Sequence, residues 1–174
     1  MLRFLGLVTS ILLALSCLAV AQENTKVEIF GGYQYTRINT GVSGAPSFNF
    51  NGWNASLSGY FTKYLGISGD FSGAYASPFG TSVKVHTFMF GPIVHFPNSS
   101  KITPFAHALF GGAHGDISEL GAETKFAWAA GGGLDVNVNN RFSVRLAQAD
   151  FLQTRFATLT QNNFRYSAGI VFKF

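Results

Sequence analysis

Charge is scarce in this chain of 174 residues: charged side chains make up 11% of it, against about 25% in an average soluble domain. That scarcity excludes a disordered chain, a solvated coiled coil and a charge-rich nucleic-acid binder, each of which depends on ionic groups. Cysteine is nearly absent, with Cys17 the one example, so the fold does not rest on disulfides. Beyond residue 21 no stretch is apolar enough for a membrane helix, and no window sustains a helical period. Phosphate-cradling glycine loops, paired-cysteine zinc spacings and zincin motifs are missing too. No cofactor is implied, and no nucleic-acid partner is expected.

The N-terminus explains the lone cysteine. Arg3 supplies a positive start, Phe4 to Val20 is apolar, and Ala19-Val20-Ala21 offers the small residues of a cleavage site. Residues 1–21 therefore read as a signal peptide and 22–174 as one exported domain.

Glycine and phenylalanine are abundant, at 20 and 19 residues, a combination that suits a twisted sheet better than helices. Alternation with a period of two recurs along the domain, because neighbouring side chains of a strand point to opposite faces. In the last segment Phe164, Tyr166, Ala168, Ile170, Phe172 and Phe174 share one face, while Arg165, Ser167, Gly169, Val171 and Lys173 share the other. The same split sets Trp53, Leu57 and Phe61 against Asn54, Ser58 and Tyr60, and Leu65, Ile67 and Phe71 against Ser68, Asp70 and Ser72. Eight such segments appear: 27–38, 52–62, 65–75, 83–96, 103–113, 125–137, 141–154 and 163–174. Their connections alternate between short turns and longer polar loops at 39–51, 76–82, 114–124 and 155–162. This is the pattern of an antiparallel up-and-down meander.

Volume decides which face is inside. One face carries Phe, Tyr, Trp, Leu and Ile; the other carries Gly, Ala, Ser and Asn with a few charges. Eight strands close at a backbone radius of about 8 Å, which leaves room for compact side chains only. The bulky face must point outward, toward lipid, and the expected fold is an all-β, eight-stranded transmembrane β-barrel. Eleven residues tilted ~40° rise about 28 Å, close to the apolar band of such barrels. In the seventh segment the phase slips, and a bulge near Ala147 would return Gln148 and Asp150 to the interior.

The terminal stretch Tyr166-Ser167-Ala168-Gly169-Ile170-Val171-Phe172-Lys173-Phe174 carries a resemblance. It is similar to the closing strand of the small eight-stranded outer-membrane barrels of the OmpA-like and opacity-protein-like porin superfamily. Phe88-Met89-Phe90-Gly91-Pro92 and Gly131-Gly132-Gly133-Leu134-Asp135 add weaker likeness, over residues 26–174 in all. The resemblance implies residence in the bacterial outer membrane among its lipids. It also implies that the barrel-insertion machinery reads Tyr166, Ile170, Phe172 and Phe174. A monomer is expected.

Candidate chemistry centres on charges of the small face: Glu28, Asp70, Asp135, Arg145, Asp150, Arg165 and Lys173. Pairing the first and last strands brings Glu28 to Lys173. Counting back from the Asn139-Asn140 turn brings Asp135 to Arg145, and counting across the last loop brings Asp150 to Arg165. A lumen needs its polar groups satisfied, so these pairs are expected as a structural ion network. His86 and His114, with Asp116, could meet at the long-loop end, but polar rim residues look the same. Gly131-Gly132-Gly133 sits in mid-strand and marks a bend or close approach of the wall. His114, Ser118 and Glu119 share a loop, without the signature of a lipid A-modifying enzyme. The expected role is structural or interactive at the cell surface, toward a ligand or surface left unspecified. A narrow porin-like channel and a lipid A-modifying enzyme are the alternatives.

Overall fold

The computed structural model describes residues 26–39, 47–117, 121–156 and 159–174; the expected leader, 1–21, lies outside them. The described residues form eight strands: β1 (Lys26–Ile38), β2 (Phe48–Tyr60), β3 (Leu65–Ala76), β4 (Val83–His95), β5 (Ile102–Ile117), β6 (Gly121–Asn137), β7 (Phe142–Phe156) and β8 (Leu159–Lys173). Each pairs antiparallel with its neighbour in sequence, and β1 pairs with β8 to close a barrel. The seam runs from Glu28 opposite Lys173 to Arg37 opposite Phe164. The two ends differ. Turns at 61–64, 96–101 and 138–141 lie at the end that holds Lys26 and Phe174; Ile38, Phe48, Ala76, Val83, Ile117, Gly121, Phe156 and Leu159, where the strands end or begin, lie at the other.

Alternation places the side chains as their volumes demand. Ile29, Leu57, Ile67, Phe71, Phe90, Phe110, Ile170 and Phe172 stand on the outer surface, while Gln34, Asn54, Asp70, Asp135, Arg145 and Arg165 are buried inside. Outward glycines are roofed by neighbouring rings. A Cβ on Gly69 would come within 2.9 Å of the Phe90 ring, and one on Gly112 within 2.8 Å of the Phe88 ring. These rings cover backbone that would otherwise face the surroundings bare.

The bulge falls where the phase slip requires it. Leu134 opposes Ala147 but Asp135 opposes Arg145, and on the other side the register shifts between Arg145 and Gln148. Leu146 and Ala147 both face outward as a result, and Arg145 and Gln148 both face in. One extra residue thus turns two polar side chains toward the same interior point.

Two expectations need correction. The stretches 114–124 and 155–162 are mostly strand, since β5 and β6 run to Ile117 and from Gly121, and β7 and β8 to Phe156 and from Leu159. Their polar residues read as loop because a strand that rises past the bilayer needs no apolar face. The 17 residues of β6 span about 44 Å at a ~40° tilt, well beyond an apolar band of ~25 Å. Nor is the interior as small and polar as most segments imply: Met89 and Ile93, which alternation in the fourth segment already sets on that face, are buried there together with Phe30, Phe105 and Leu109. Glycine makes the room. A Cβ on Gly133 would sit 2.9 Å from the Phe105 ring.

Trp53 and Trp128 both stand on outward positions, Trp53 with 43% of its surface exposed. Lipids brominated on their acyl chains are therefore expected to quench the tryptophan emission of the folded protein strongly. Emission that brominated lipid left untouched would contradict the outward placement.

Candidate functional site

The lumen is crossed by a continuous polar chain, with Arg165 at its centre. Arg165 is wholly buried. Its Nη1 donates to Asp70 Oδ1 at 2.6 Å and its Nε to Asp150 Oδ2 at 2.8 Å. Its Nη2 lies 2.7 Å from that same Asp150 oxygen without the direction of a further hydrogen bond. Asn54 Nδ2 donates to the second oxygen of Asp70 at 2.9 Å. His107 Nε2 stands 2.8 Å from Asp150 Oδ1, and Gln148 Nε2 donates to Asp150 Oδ2 at 2.8 Å.

Gln148 links this knot to a second one. Its Oε1 accepts from Arg145 Nη1 at 2.8 Å, and Arg145 grips Asp135 through Nε and Nη2 at 2.8 and 3.0 Å. The Arg145 guanidinium also lies between two rings, 4.5 Å from the centre of Phe30 and 4.0 Å from that of Phe105. A bidentate carboxylate and two ring faces match the planar fork of arginine, which lysine could not replace. Gly131 makes the arrangement possible, because a Cβ there would collide with the Asp150 carboxylate.

Toward the turn end the expected Glu28–Lys173 pair is loose. The two residues oppose each other in register, yet Lys173 Nζ is 3.9 Å from Glu28 Oε1 and donates instead to Asn137 Oδ1 at 2.5 Å. Glu28 Oε2 accepts from the Tyr60 hydroxyl at 3.2 Å, and His95, stacked on Tyr60, brings its Nε2 to 3.5 Å. Neither Tyr60 nor His95 stands out in sequence as a partner of Glu28. They come from β2 and β4, and the signal that could have found them is their shared inward phase at the turn end. Among the described residues Glu28, His95 and Asp135 are the group whose atoms could hold a metal ion. Arg145 occupies both oxygens of Asp135, and Lys173 offsets Glu28, so no surplus negative charge draws a cation there.

The histidine pair expected at the long-loop end is adjacent, since His86 opposes His114 across β4 and β5. Each has another partner: His86 Nε2 is 3.1 Å from the Tyr75 hydroxyl and His114 Nδ1 is 2.7 Å from the Thr124 hydroxyl. Ser118 and Glu119, grouped with His114 by sequence, lie outside the described residues.

Among the described residues the polar chain lies between two cavities of the lumen. One, of about 510 Å³, opens at the turn end between Lys26, Tyr60, Lys63, His95 and Lys173. The other, of about 480 Å³, opens at the loop end. Its walls are mainly apolar, with Ile38, Phe50, Ala74, Val85 and Leu152, and Gln34, Thr36, Ser72, Thr87, Thr154 and Asn163 also line it.

An apolar outside around a closed, charge-filled inside defines a membrane-spanning β-barrel, because only closure leaves no strand edge in hydrocarbon. The chain belongs to the family described as outer membrane protein beta-barrel domain, which residues 7–172 match, and it is a bacterial outer-membrane protein. Three solved structures share its fold. Ail, the attachment invasion locus protein of Yersinia pestis, is 20% identical with a TM-score of 0.62, over 87% of this chain and 99% of that one. Neisserial surface protein A is 15% identical with a TM-score of 0.74, over 87% and 100%. The N-terminal barrel domain of Pseudomonas aeruginosa OprF is 17% identical with a TM-score of 0.55, over 86% and 97%. No curated protein matches the chain by sequence.

Removing one partner from a buried ion network leaves charges uncompensated. Arg165→Ala is expected to lower stability by about 3–5 kcal/mol, and Gly131→Ala is expected to shift it in the same direction by displacing Asp150. Urea titration in detergent micelles measures both; midpoints equal to the parent's would show that the network does not hold the barrel together.

Proposed function

We propose that this protein is a sealed, non-enzymatic barrel that acts at the cell surface through its loop end. One observation carries the reading: the chain of side chains from Asp70 through Arg165, Asp150, Gln148 and Arg145 to Asp135 crosses the lumen. An ion or solute would have to break charge-assisted hydrogen bonds in a water-poor space, so a porin-like channel is the weaker reading. A lipid A-modifying enzyme is weaker still. Catalysis of that kind needs a base oriented by a third group beside a nucleophile, and His114 rests on Thr124. The names of two similar structures, an attachment invasion locus protein and a surface protein, lend support to a role at the surface.

In this reading the loop end faces the exterior, residues 1–21 leave during export, and the barrel works as a monomer surrounded by outer-membrane lipids. Planar bilayers are expected to stay silent with the parent protein, and discrete conductance steps are expected once Asp70 and Arg165 are both replaced by Ser. Steady open-pore currents from the parent would overturn the sealed reading. Orientation is tested by Glu123→Cys and Ser99→Cys. A membrane-impermeant maleimide is expected to label the first on intact cells and the second only after permeabilisation; the reverse pattern would invert the barrel.

Tyr166, Ile170, Phe172 and Phe174 form the outward face of β8 and the residue that ends it, and we assign them to recognition by the insertion machinery. β8 is hydrogen-bonded on both sides in the closed barrel, so it can be read only before closure. Phe174→Ser is expected to cut the amount of assembled protein in cells while leaving refolding in detergent unchanged. Equal loss in both settings would make Phe174 a stability residue.

A further inference from the structure

The cavity at the loop end is a dead-end cup, and its chemistry is selective. At about 480 Å³ it falls within the range of small-molecule sites, roughly 300–1,000 Å³. Its walls mix apolar and neutral polar groups. Ile38, Phe50, Ala74, Val85 and Leu152 supply the apolar surface. Between them, Gln34 donates to Thr36 at 3.0 Å and the hydroxyls of Ser72 and Thr87 meet at 2.7 Å.

One atom in the wall of the cup is unpaired, with almost no surface of its own open to the cavity. Gln34 is 2% exposed and lines the cavity, yet its side-chain carbonyl Oε1 has no hydrogen-bond partner. A buried acceptor left in this state is costly, and a donor brought to it relieves the cost. Charge is kept out by the lining. Glu123 is the single ionisable residue among the described cavity residues, and it is exposed and paired with Lys125 at 2.6 Å. An ammonium or carboxylate head would enter without a counter-ion, which apolar surroundings disfavour.

We propose that the cup binds a small neutral amphiphile, an apolar chain or ring ending in a hydrogen-bond donor of the alcohol type, with the Gln34 amide turning so that the donor seats on its Oε1. The cup takes its ligand from the loop end and holds it above the Arg165 knot. This deepens the surface role and rests on the sealed lumen, since a through-channel would release the ligand at the other end.

The probe is 1-octanol, titrated into methyl-labelled protein in lipid nanodiscs, with octane, 2-octanone and octanoate as comparators. Saturable shifts are expected at Ala74, Val85 and Leu152, with 2-octanone and octanoate about tenfold weaker than the alcohol, the worth of one good hydrogen bond. Gln34→Leu is expected to erase the preference for 1-octanol over 2-octanone while keeping octane. Ala74→Leu, which fills the cup from an inward position, is expected to abolish all binding while the barrel keeps its heat-modifiable migration on gels. Shifts confined to outward residues such as Leu57 and Ile67 would mean partition into the lipid shell and would overturn the proposal. A preference for 1-octanol that survived Gln34→Leu would overturn it too; should that variant fail to fold, Ala74→Leu alone decides. A silent bilayer with no octanol binding removes the cup and leaves the sealed barrel, whereas a conducting parent removes the sealed barrel itself.

Discussion

Hydrocarbon offers no hydrogen bonds, and the rest of this structure follows from that. A strand that enters the bilayer must pair its backbone on both sides, so the sheet has to close on itself. Closure at eight strands fixes a lumen about 8 Å in radius at the backbone. From that radius comes the division of side chains: Phe, Leu and Ile outward where space is free, and Gly, Ser, Asn and paired charges inward where it is not. Of the inward exceptions, Phe30 and Phe105 are accommodated because glycine stands against one of them and Arg145 fills the gap between both.

A lumen filled with charge is an unusual core. Two arginines and three aspartates are taken out of water, and such an arrangement holds only when the geometry satisfies nearly every donor and acceptor. Here hydrogen bonds run unbroken from Asn54 to Asp135, tying β2, β3, β8, β7 and β6 together across the barrel. These cross-braces act where sheet hydrogen bonds cannot, since ladder bonds hold neighbouring strands and never opposite walls. The same brace separates the two cavities, so the feature that stiffens the barrel also gives the loop-end cup its closed floor.

The plug and the cup differ in what fills them. In the plug, carboxylates and guanidiniums find one another; in the cup, neutral groups line an unfilled space and the Gln34 carbonyl has no partner. Buried polar groups without partners are rare in folded proteins and point to something unaccounted for. Strands β5 and β6 extend past the bilayer on the same side as this cup, so its walls are continued by sheet.

Local periodicity determined much of this. A period of two needs no tertiary knowledge, and with residue volume it was enough to orient the strands and count eight of them. Counting across a turn is nearly as local, which is why Asp135 opposite Arg145, Asp150 opposite Arg165 and the slip near Ala147 were legible from the chain alone. Polar segments at 114–124 and 155–162 resemble loops in sequence although they are mostly strand, because polarity marks contact with water and a strand above the membrane has that as well. What tertiary structure alone decided lies across the lumen: Asp70 meeting Arg165 over 95 residues of sequence, Tyr60 and His95 capturing Glu28, and two rings clasping Arg145. Apart from Tyr60 and Glu28, which lie on the paired strands β2 and β1, those contacts join strands that share no hairpin, and their heights match only once the sheet has closed with a particular stagger, which is a property of the whole barrel and of no single segment.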